Sequence, residues 1–431
     1  MKRVIPLLLL TLILFQSCLQ ETKSPVKTNK ATVLKGCVYG RDSDTLILVK
    51  AHQDTRFDTI ASIPILDWEF EFTFNPEEVE LYHLVFKDEL NEGAWRPIEF
   101  YADQDTIQFV LHSATDFFEN EIKGGQINTL FKDYQENINR PYGLKLEGIY
   151  KIFDSIPYSS MYSETYQEVL EKLNTAETPE ERETHFNTME ALKKQGLDKN
   201  ELGRKIDAEV ATVQDTYWTE KYTFINKNPS IVSYSLLIED LQSLSYNPAP
   251  KEKLIFALNN LNEAFPNHSY TELSQNLWIG YTEMTPGGQY INFSAPDMDA
   301  VYHELKPFVK KNDVLLLDLW ATWCGPCIVR SRLMKPVYEK YKNKGFDIVG
   351  VAGEKKNLEA YKKFMNAEQW PWKNLIELDN ENKIWEKYNI MNGGGGMFLI
   401  SKSGEILAVD PTAEEVEAIL EKQLLNNDVK I

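Results

Sequence analysis

One stretch narrows the possible folds more than any other: Leu315 to Cys327, L-L-L-D-L-W-A-T-W-C-G-P-C. Four leucines interrupted by a single acid make a strand too apolar to face water, which places it at the centre of a buried sheet. The strand then breaks into Trp323-Cys324-Gly325-Pro326-Cys327, with two cysteines three apart at the mouth of a helix. Free backbone N–H groups and the positive end of the helix dipole favour a thiolate at Cys324. Cys327 lies one helical turn on, near enough to close a disulfide. A C-x-x-C pair placed this way is a redox centre. The alternative is a structural disulfide or half a zinc site. It is disfavoured because the chain has no second Cys pair and no His pair at ligand spacing.

Around this stretch the pattern alternates between strand and helix. Thr285-Pro286-Gly287-Gly288 marks a boundary, followed by an expected strand at Tyr290 to Phe293, a loop with Pro296 and a helix near Asp299 to Val309. The helix opened by the Cys pair should run to about Lys344 and Gly345. Phe346 to Val351 is a second apolar strand, which completes a βαβ unit. Lys355 to Met365 reads as a helix, Met397 to Ile400 and Glu405 to Val409 as a hairpin turning at Ser403-Gly404, and Ala413 to Leu424 as a closing helix.

W-C-G-P-C after a buried strand resembles the thioredoxin superfamily, specifically the thioredoxin-like reductases of the bacterial cell envelope, and the resemblance runs from Gln289 to Ile431. It implies that Cys324 attacks a substrate disulfide and that Cys327 resolves the mixed disulfide. It also implies that buried Asp318, with a raised pKa, relays a proton to or from the resolving cysteine. The other reading of Asp318 is a polar residue bonded to nearby backbone. Pro326, beside Gly325, lacks an N–H and stiffens the loop. Trp323 either shields the disulfide edge or simply packs. The redox-active disulfide is itself the reacting group, so no cofactor and no metal are implied.

Three positions depart from that family's pattern. Gly393-Gly394-Gly395-Gly396 fills the place of a cis-proline loop just before Phe398-Leu399-Ile400, with Gly395 at the proline position. A cis peptide without proline costs roughly 3 kcal/mol, so a trans or slack loop is expected, with Gly395 and Gly396 as candidate substrate contacts. Arg330 stands where an acid is usual, either favouring thiolate or merely solvated. The usual helix proline, at the position of Arg332, is displaced one turn to Pro336.

The N-terminus points to export. Lys2 and Arg3 precede an apolar run from Val4 to Phe15, too short to span a bilayer but suited to a signal-peptide core. Ser17-Cys18 then looks like a lipoprotein cleavage site, giving residues 1–18 as signal peptide with Cys18 as lipidation site, and 19–30 as a tether. With Cys18 assigned, only Cys37, Cys324 and Cys327 remain, which is no disulfide scaffold. Cys37 is expected to be a buried, inert thiol. The net charge of −19 on 431 residues repels phosphate backbones, which excludes nucleic acid as a partner class.

Residues 31–125 carry period-two segments at Thr32 to Tyr39, Thr45 to Ala51, Trp68 to Phe74, Tyr82 to Phe86, Ile98 to Tyr101 and Thr106 to Leu111, which predicts an antiparallel β-sandwich. Its His52, His83 and His112 are scattered and read as sheet residues. The segment, closing with I-K-G-G-Q-I-N at Ile122 to Asn128, resembles the β domain that precedes thioredoxin modules in envelope lipoproteins. Residues 126–283 change to helical period. Thr178-Pro179-Glu180-Glu181 is a capping box, Gly196 a helix stop, and Ile206, Val210, Val213 and Tyr217 form one stripe. Residues 284–431 form the thioredoxin-like part.

The fold class is therefore α+β multidomain: β-sandwich, helical middle domain, α/β thioredoxin fold. The function expected is a lipid-anchored, periplasm-facing thiol:disulfide oxidoreductase of a Gram-negative envelope, drawing on a reductant donor to reduce disulfide-bearing proteins. A peroxidase of peroxiredoxin type is weakened because Thr322 sits too close before Cys324 and no matching Pro precedes it. A non-catalytic metal-binding or protein-binding module is the other alternative.

Overall fold

The computed structural model describes residues 31–390 and 394–425. The expected leader, Cys18, the tether and Gly393 lie outside the described residues. The N-terminal part contains β1 (Thr32–Val38), β2 (Thr45–Lys50), β3 (Ala61–Pro64), β4 (Glu69–Phe74), β5 (Leu81–Phe86), the short helix α1 (Lys87–Glu92), β6 (Ile98–Tyr101), β7 (Thr106–Leu111) and β8 (Glu121–Lys123). They form two four-stranded sheets, ordered β4-β1-β7-β8 and β3-β2-β5-β6. Alternate residues of both sheets meet in one core, with Leu34, Val38, Phe70 and Phe109 from the first and Leu46, Leu48, Leu84 and Phe100 from the second.

Three details differ from the sequence expectation. β1 and β7 pair in parallel, Val33 opposite Thr106, so the first sheet is mixed. A hairpin forces neighbouring strands antiparallel, but β7 joins β1 only after the chain has passed through the second sheet, which frees its direction. Trp68 does not continue the aromatic face of β4; at φ 66° it sits in the turn closed by the Leu66–Glu69 bridge and is 55% exposed. Cys37 is a free, half-buried thiol, because it falls on the outer face of β1 while Leu34 and Val38 point inward.

The helical part comprises α2 (Gln126–Tyr134), α3 (Arg140–Tyr150), α4 (Glu164–Thr175), α5 (Pro179–Lys194), α6 (Glu201–Lys227), α7 (Ile231–Ser243), α8 (Lys251–Ala264) and α9 (Ser269–Glu283). Thr178 caps α5 in a reciprocal box with Glu181, and Gly196 takes a φ of 67° just past its end. The α6 stripe is buried at Ile206 and half-buried at Val210, Val213 and Tyr217. Nearly every side chain of α7 is buried, and its core runs without a break into Val79, Leu81 and Tyr101 of the β region. Polar bonds pin that seam. The Leu81 N–H donates to Tyr270 Oη at 2.9 Å. The Asn128 side chain accepts from Tyr101 N–H at 2.8 Å and donates to Tyr101 C=O at 2.7 Å, continuing the edge of β6 as a strand would.

The last part contains β9 (Ser294–Pro296), β10 (Tyr302–Glu304), α10 (Leu305–Lys311), β11 (Val314–Trp320), α11 (Gly325–Tyr341), β12 (Phe346–Glu354), α12 (Glu359–Glu368), β13 (Lys373–Leu378), α13 (Ile384–Lys387), β14 (Gly396–Ser401), β15 (Ile406–Val409) and α14 (Ala413–Leu425). All seven residues of β11 are buried. It lies at the centre of a sheet ordered β13-β12-β11-β14-β15, parallel to β12 and antiparallel to β14. Residues 290–293 are not a strand, and the helix expected from near Asp299 starts only at Leu305, its first half being a turn and β10. The Asp297 carboxylate accepts from the Asp299 and Val301 N–H groups and pairs with His303 and Lys373, which holds Ala300 at φ 59° and stops a helix from starting before Leu305. Among the described residues, no helix is long and apolar enough to cross a membrane.

Candidate active site

The cysteines sit where β11 hands over to α11. Cys324 is the N-cap of α11, and its Sγ accepts from the Cys327 N–H at 3.3 Å, so the sulfur occupies the place of a capping oxygen. Cys324 and Cys327 form a disulfide, with Cα atoms 5.3 Å apart. Cys324 is half-buried and Cys327 is 8% exposed, an asymmetry set by the helix, which turns the second sulfur toward the sheet. Gly325 and Pro326 are exposed at the first turn, and Pro336 lies inside the helix.

Beneath the pair lies Asp318, 1% exposed, between Gly350 of β12 and Met397 of β14. Its Oδ2 accepts from the Ser331 hydroxyl at 2.6 Å, and Ser331 Oγ is 3.0 Å from the Cys327 carbonyl oxygen. One side chain thus links the acid to the helix turn that carries Cys327. Burial pushes the Asp318 carboxyl up to about 7; the Ser331 hydrogen bond and the charge of Arg330 pull in the other direction without cancelling it. Arg330 is not simply solvated, since its Nη2 pairs with Asp410 Oδ1 at 2.6 Å. The same Asp410 oxygen accepts from the Met397 N–H, tying α11 to the start of β14.

Trp323 packs and shields at once. Its indole N–H donates to the Gly353 carbonyl at 3.1 Å, its ring lies 5.5 Å from that of Phe57, and 37% of the residue stays exposed. Next to it, Glu354 takes the Thr322 N–H at 2.8 Å and the Thr322 hydroxyl at 2.7 Å. Burial holds the Glu354 carboxyl above its ordinary range against those two donors.

The glycine loop closes the other side, one residue out of the expected place. A Cβ on Gly394 would lie 2.3 Å from Cys324 Sγ and 3.3 Å from Cys327 Sγ, so bare backbone rests on the disulfide there. Gly395 faces β11 instead, where a Cβ would lie 1.8 Å from the Leu319 carbonyl oxygen, and Gly396 opens β14 opposite Leu319. Among the described residues no peptide bond is cis. A side chain at Gly394 would collide with the disulfide and one at Gly395 with the backbone of β11, which accounts for these two glycines.

Sequence reasoning missed Ser331, Glu354 and Gly394. A signal existed for the first: Ser331 follows Cys327 by four residues and so shares its face of the helix. Among the described residues no group of three or more His, Cys, Asp or Glu side chains is gathered as for a metal.

Residues 286–409 match the family described as AhpC/TSA. Over 156 residues the chain is 30% identical to the thiol-disulfide oxidoreductase ResA of Bacillus thuringiensis (strain Al Hakam), covering 35% of this chain and 85% of that protein. The chain belongs to the ResA thiol-disulfide oxidoreductase family. A second ResA, from Geobacillus kaustophilus (strain HTA426), is 29% identical over 153 residues, 34% of this chain and 82% of that one. Among solved structures, the thioredoxin domain of a thiol-disulfide oxidoreductase from Bacteroides vulgatus is 23% identical, covering 32% of this chain and 98% of that one at a TM-score of 0.30. A thiol-disulfide oxidoreductase from Bacteroides fragilis NCTC 9343 is 24% identical, covering 31% and 98% at a TM-score of 0.29. The ResA-like region is a thioredoxin-like thiol-disulfide oxidoreductase domain, and the protein is an oxidoreductase.

Proposed function

We propose that this oxidoreductase reduces disulfides of cell-envelope proteins, with Cys324 as attacking thiol, Cys327 as resolving thiol and Asp318 as the proton acceptor for Cys327. The observation that carries the reading is the Cys324–Cys327 disulfide capping α11, linked through Ser331 to a buried carboxyl that has a hydroxyl partner and, among the described residues, no paired cation. In the reduced protein the Cys324 thiolate attacks one sulfur of the partner disulfide; that S–S bond breaks, a mixed disulfide forms, and the partner's other sulfur leaves as a thiolate and takes up a proton. Cys327 then gives its proton toward Asp318 and attacks Cys324 Sγ. The mixed disulfide breaks, the partner leaves with both cysteines reduced, and the two electrons it gained are balanced by the Cys324–Cys327 disulfide. A dithiol donor of the envelope restores the reduced state by the same exchange in reverse.

Trp323, Gly325 and Pro326 frame the reacting sulfur, and the bare backbone at Gly394, beside the disulfide, is where a partner backbone would come close. The Lys2-Arg3 and Val4 to Phe15 pattern before Cys18 supports secretion and lipid anchoring facing the periplasm. The domains follow the boundaries at residues 125 and 283, the first as a β-sandwich.

The test is differential trapping. In the reduced protein Cys324 should be alkylated before Cys327, and a Cys327→Ser variant expressed in its native envelope should accumulate mixed disulfides through Cys324. Equal labelling of both cysteines, or turnover of hydrogen peroxide with no exchange on protein disulfides, would overturn the assignment.

A further inference from the structure

The N-terminal β region sends one turn across to the disulfide site. Residues 54–58, between β2 and β3, form a turn closed by its own bonds. The Phe57 and Asp58 N–H groups donate to the Asp54 carbonyl at 3.0 and 2.8 Å. The Asp54 carboxylate grips Arg56 through its backbone N–H, Nε and Nη2 at 2.9, 2.9 and 2.6 Å. The Asp54 N–H in turn donates to Asp58 Oδ2 at 3.0 Å. Such a turn holds its shape without help from what it touches.

What it touches is the wall of the redox site. Phe57 packs on the Trp323 ring, and the Arg56 guanidinium lies 5.8 Å from that ring's centre. Asp58 pairs with Lys355 at 3.0 Å, and Lys355 directly follows Glu354, which holds Thr322 by two bonds. Gly353, one residue earlier, takes the indole N–H. Trp323, next to Cys324 in the chain, is thus fixed from both sides, and its outer face is covered by residues more than two hundred positions away in the chain. A cleft of about 280 Å³ runs beneath the turn, lined by Asp54, Asp58, Trp323, Glu354 and Lys355 among others. On the opposite side the bare backbone of Gly394 borders the sulfurs.

Resting on the exchange reading above, we propose that Arg56, Phe57 and Asp58 are specificity-determining residues of the disulfide site, restricting access to Cys324 by the bulk of the partner. A disulfide that reacts at Cys324 needs room only for its own sulfurs and their immediate carbons. A folded protein extends beyond them and meets the turn wherever its surface passes over Trp323. The turn therefore leaves small or extended disulfide segments unhindered and slows compact ones. It acts through Trp323 as a positioning element and touches no reacting atom.

The experiment compares kcat/KM of the full chain on insulin and on bis(2-hydroxyethyl) disulfide, for the wild type, Phe57→Ala and Lys355→Gln. The second variant releases the turn from the far side and leaves its internal bonds intact. Both variants should raise the insulin value by about fivefold and leave the small-disulfide value within about twofold. An unchanged or lowered insulin value, or a parallel change on both substrates, overturns the inference while the exchange reading stands. A wild-type chain inert toward both substrates overturns the exchange reading and this inference with it.

Discussion

Asp240 in the helical core and Asp318 in the redox sheet are both nearly inaccessible, 2% and 1% exposed, yet their surroundings are opposite. Asp240 has a full set of partners: Lys221 Nζ at 2.6 Å and the Tyr222 hydroxyl at 3.0 Å. Burial pulls the Lys221 ammonium down, but Asp240 and Glu239 outweigh it and hold it above its ordinary range; burial also raises the Asp240 carboxyl, against the pull of Lys221 and Tyr222. Among the described residues Asp318 has only the Ser331 hydroxyl, and burial pushes its carboxyl up to about 7. The difference lies in the partners: Asp240 sits against a buried ammonium, whereas Asp318 faces a hydroxyl and has no ion pair among the described residues.

The largest loss of stability should come from breaking the satisfied site. Asp240→Ala removes the hydrogen-bonded partner of the buried Lys221 ammonium and leaves only the more distant Glu239 carboxylate, 3.7 Å away; it should lower the unfolding free energy by about 3 kcal/mol, read by urea denaturation at neutral pH. A loss below about 1 kcal/mol would mean that the pair behaves as a solvated surface bridge.

At Asp318 the sign reverses. The unfolded carboxyl titrates near 3.9 and the folded one near 7, so the folded state binds the extra proton. The stabilisation present while Asp318 is protonated in the fold is therefore lost as pH rises through that window. Asp318→Asn removes this dependence. Relative to the wild type, the variant should gain on the order of 4 kcal/mol between pH 4 and pH 8. Its disulfide exchange should slow about tenfold or more at neutral pH. Equal pH slopes of stability in the two proteins would return Asp318 to a purely structural role.

Much of this site could be read from local pattern. Leu315 to Leu319 could only be an interior strand, and the Cys pair with Pro326 could only open a helix, because both depend on residues adjacent in sequence. Asp318 stood out as the one acid in that apolar run. What escaped depends on contacts between distant segments. The turn 54–58 reaches Trp323 across three chain segments, and no periodicity in either stretch signals it. The helix expected from Asp299 starts late, at Leu305, because Asp297 recruits Lys373, 76 residues on, to organise the loop before it. The parallel pairing of β1 with β7 was hidden for the same reason, since alternation reports which face is buried but not the direction of the neighbouring strand.

A smaller effect should follow from Ser331→Ala. Removing the hydroxyl takes away the one donor to Asp318, so the carboxyl should titrate at higher pH than in the wild type, with a loss of about 1 to 2 kcal/mol of stability at pH 8 and less at pH 5, where the acid is already protonated. A uniform loss at both values would mean that the hydroxyl matters chiefly for its bond to the Cys327 carbonyl.

The contrast between the two aspartates rests on the protonation of Asp318, which can be observed directly. In protein labelled with ¹³C at the aspartate carboxyl, the resonance missing from Asp318→Asn should titrate in the wild type with a midpoint near 7. A midpoint in the ordinary range, near 3.9, would contradict the account.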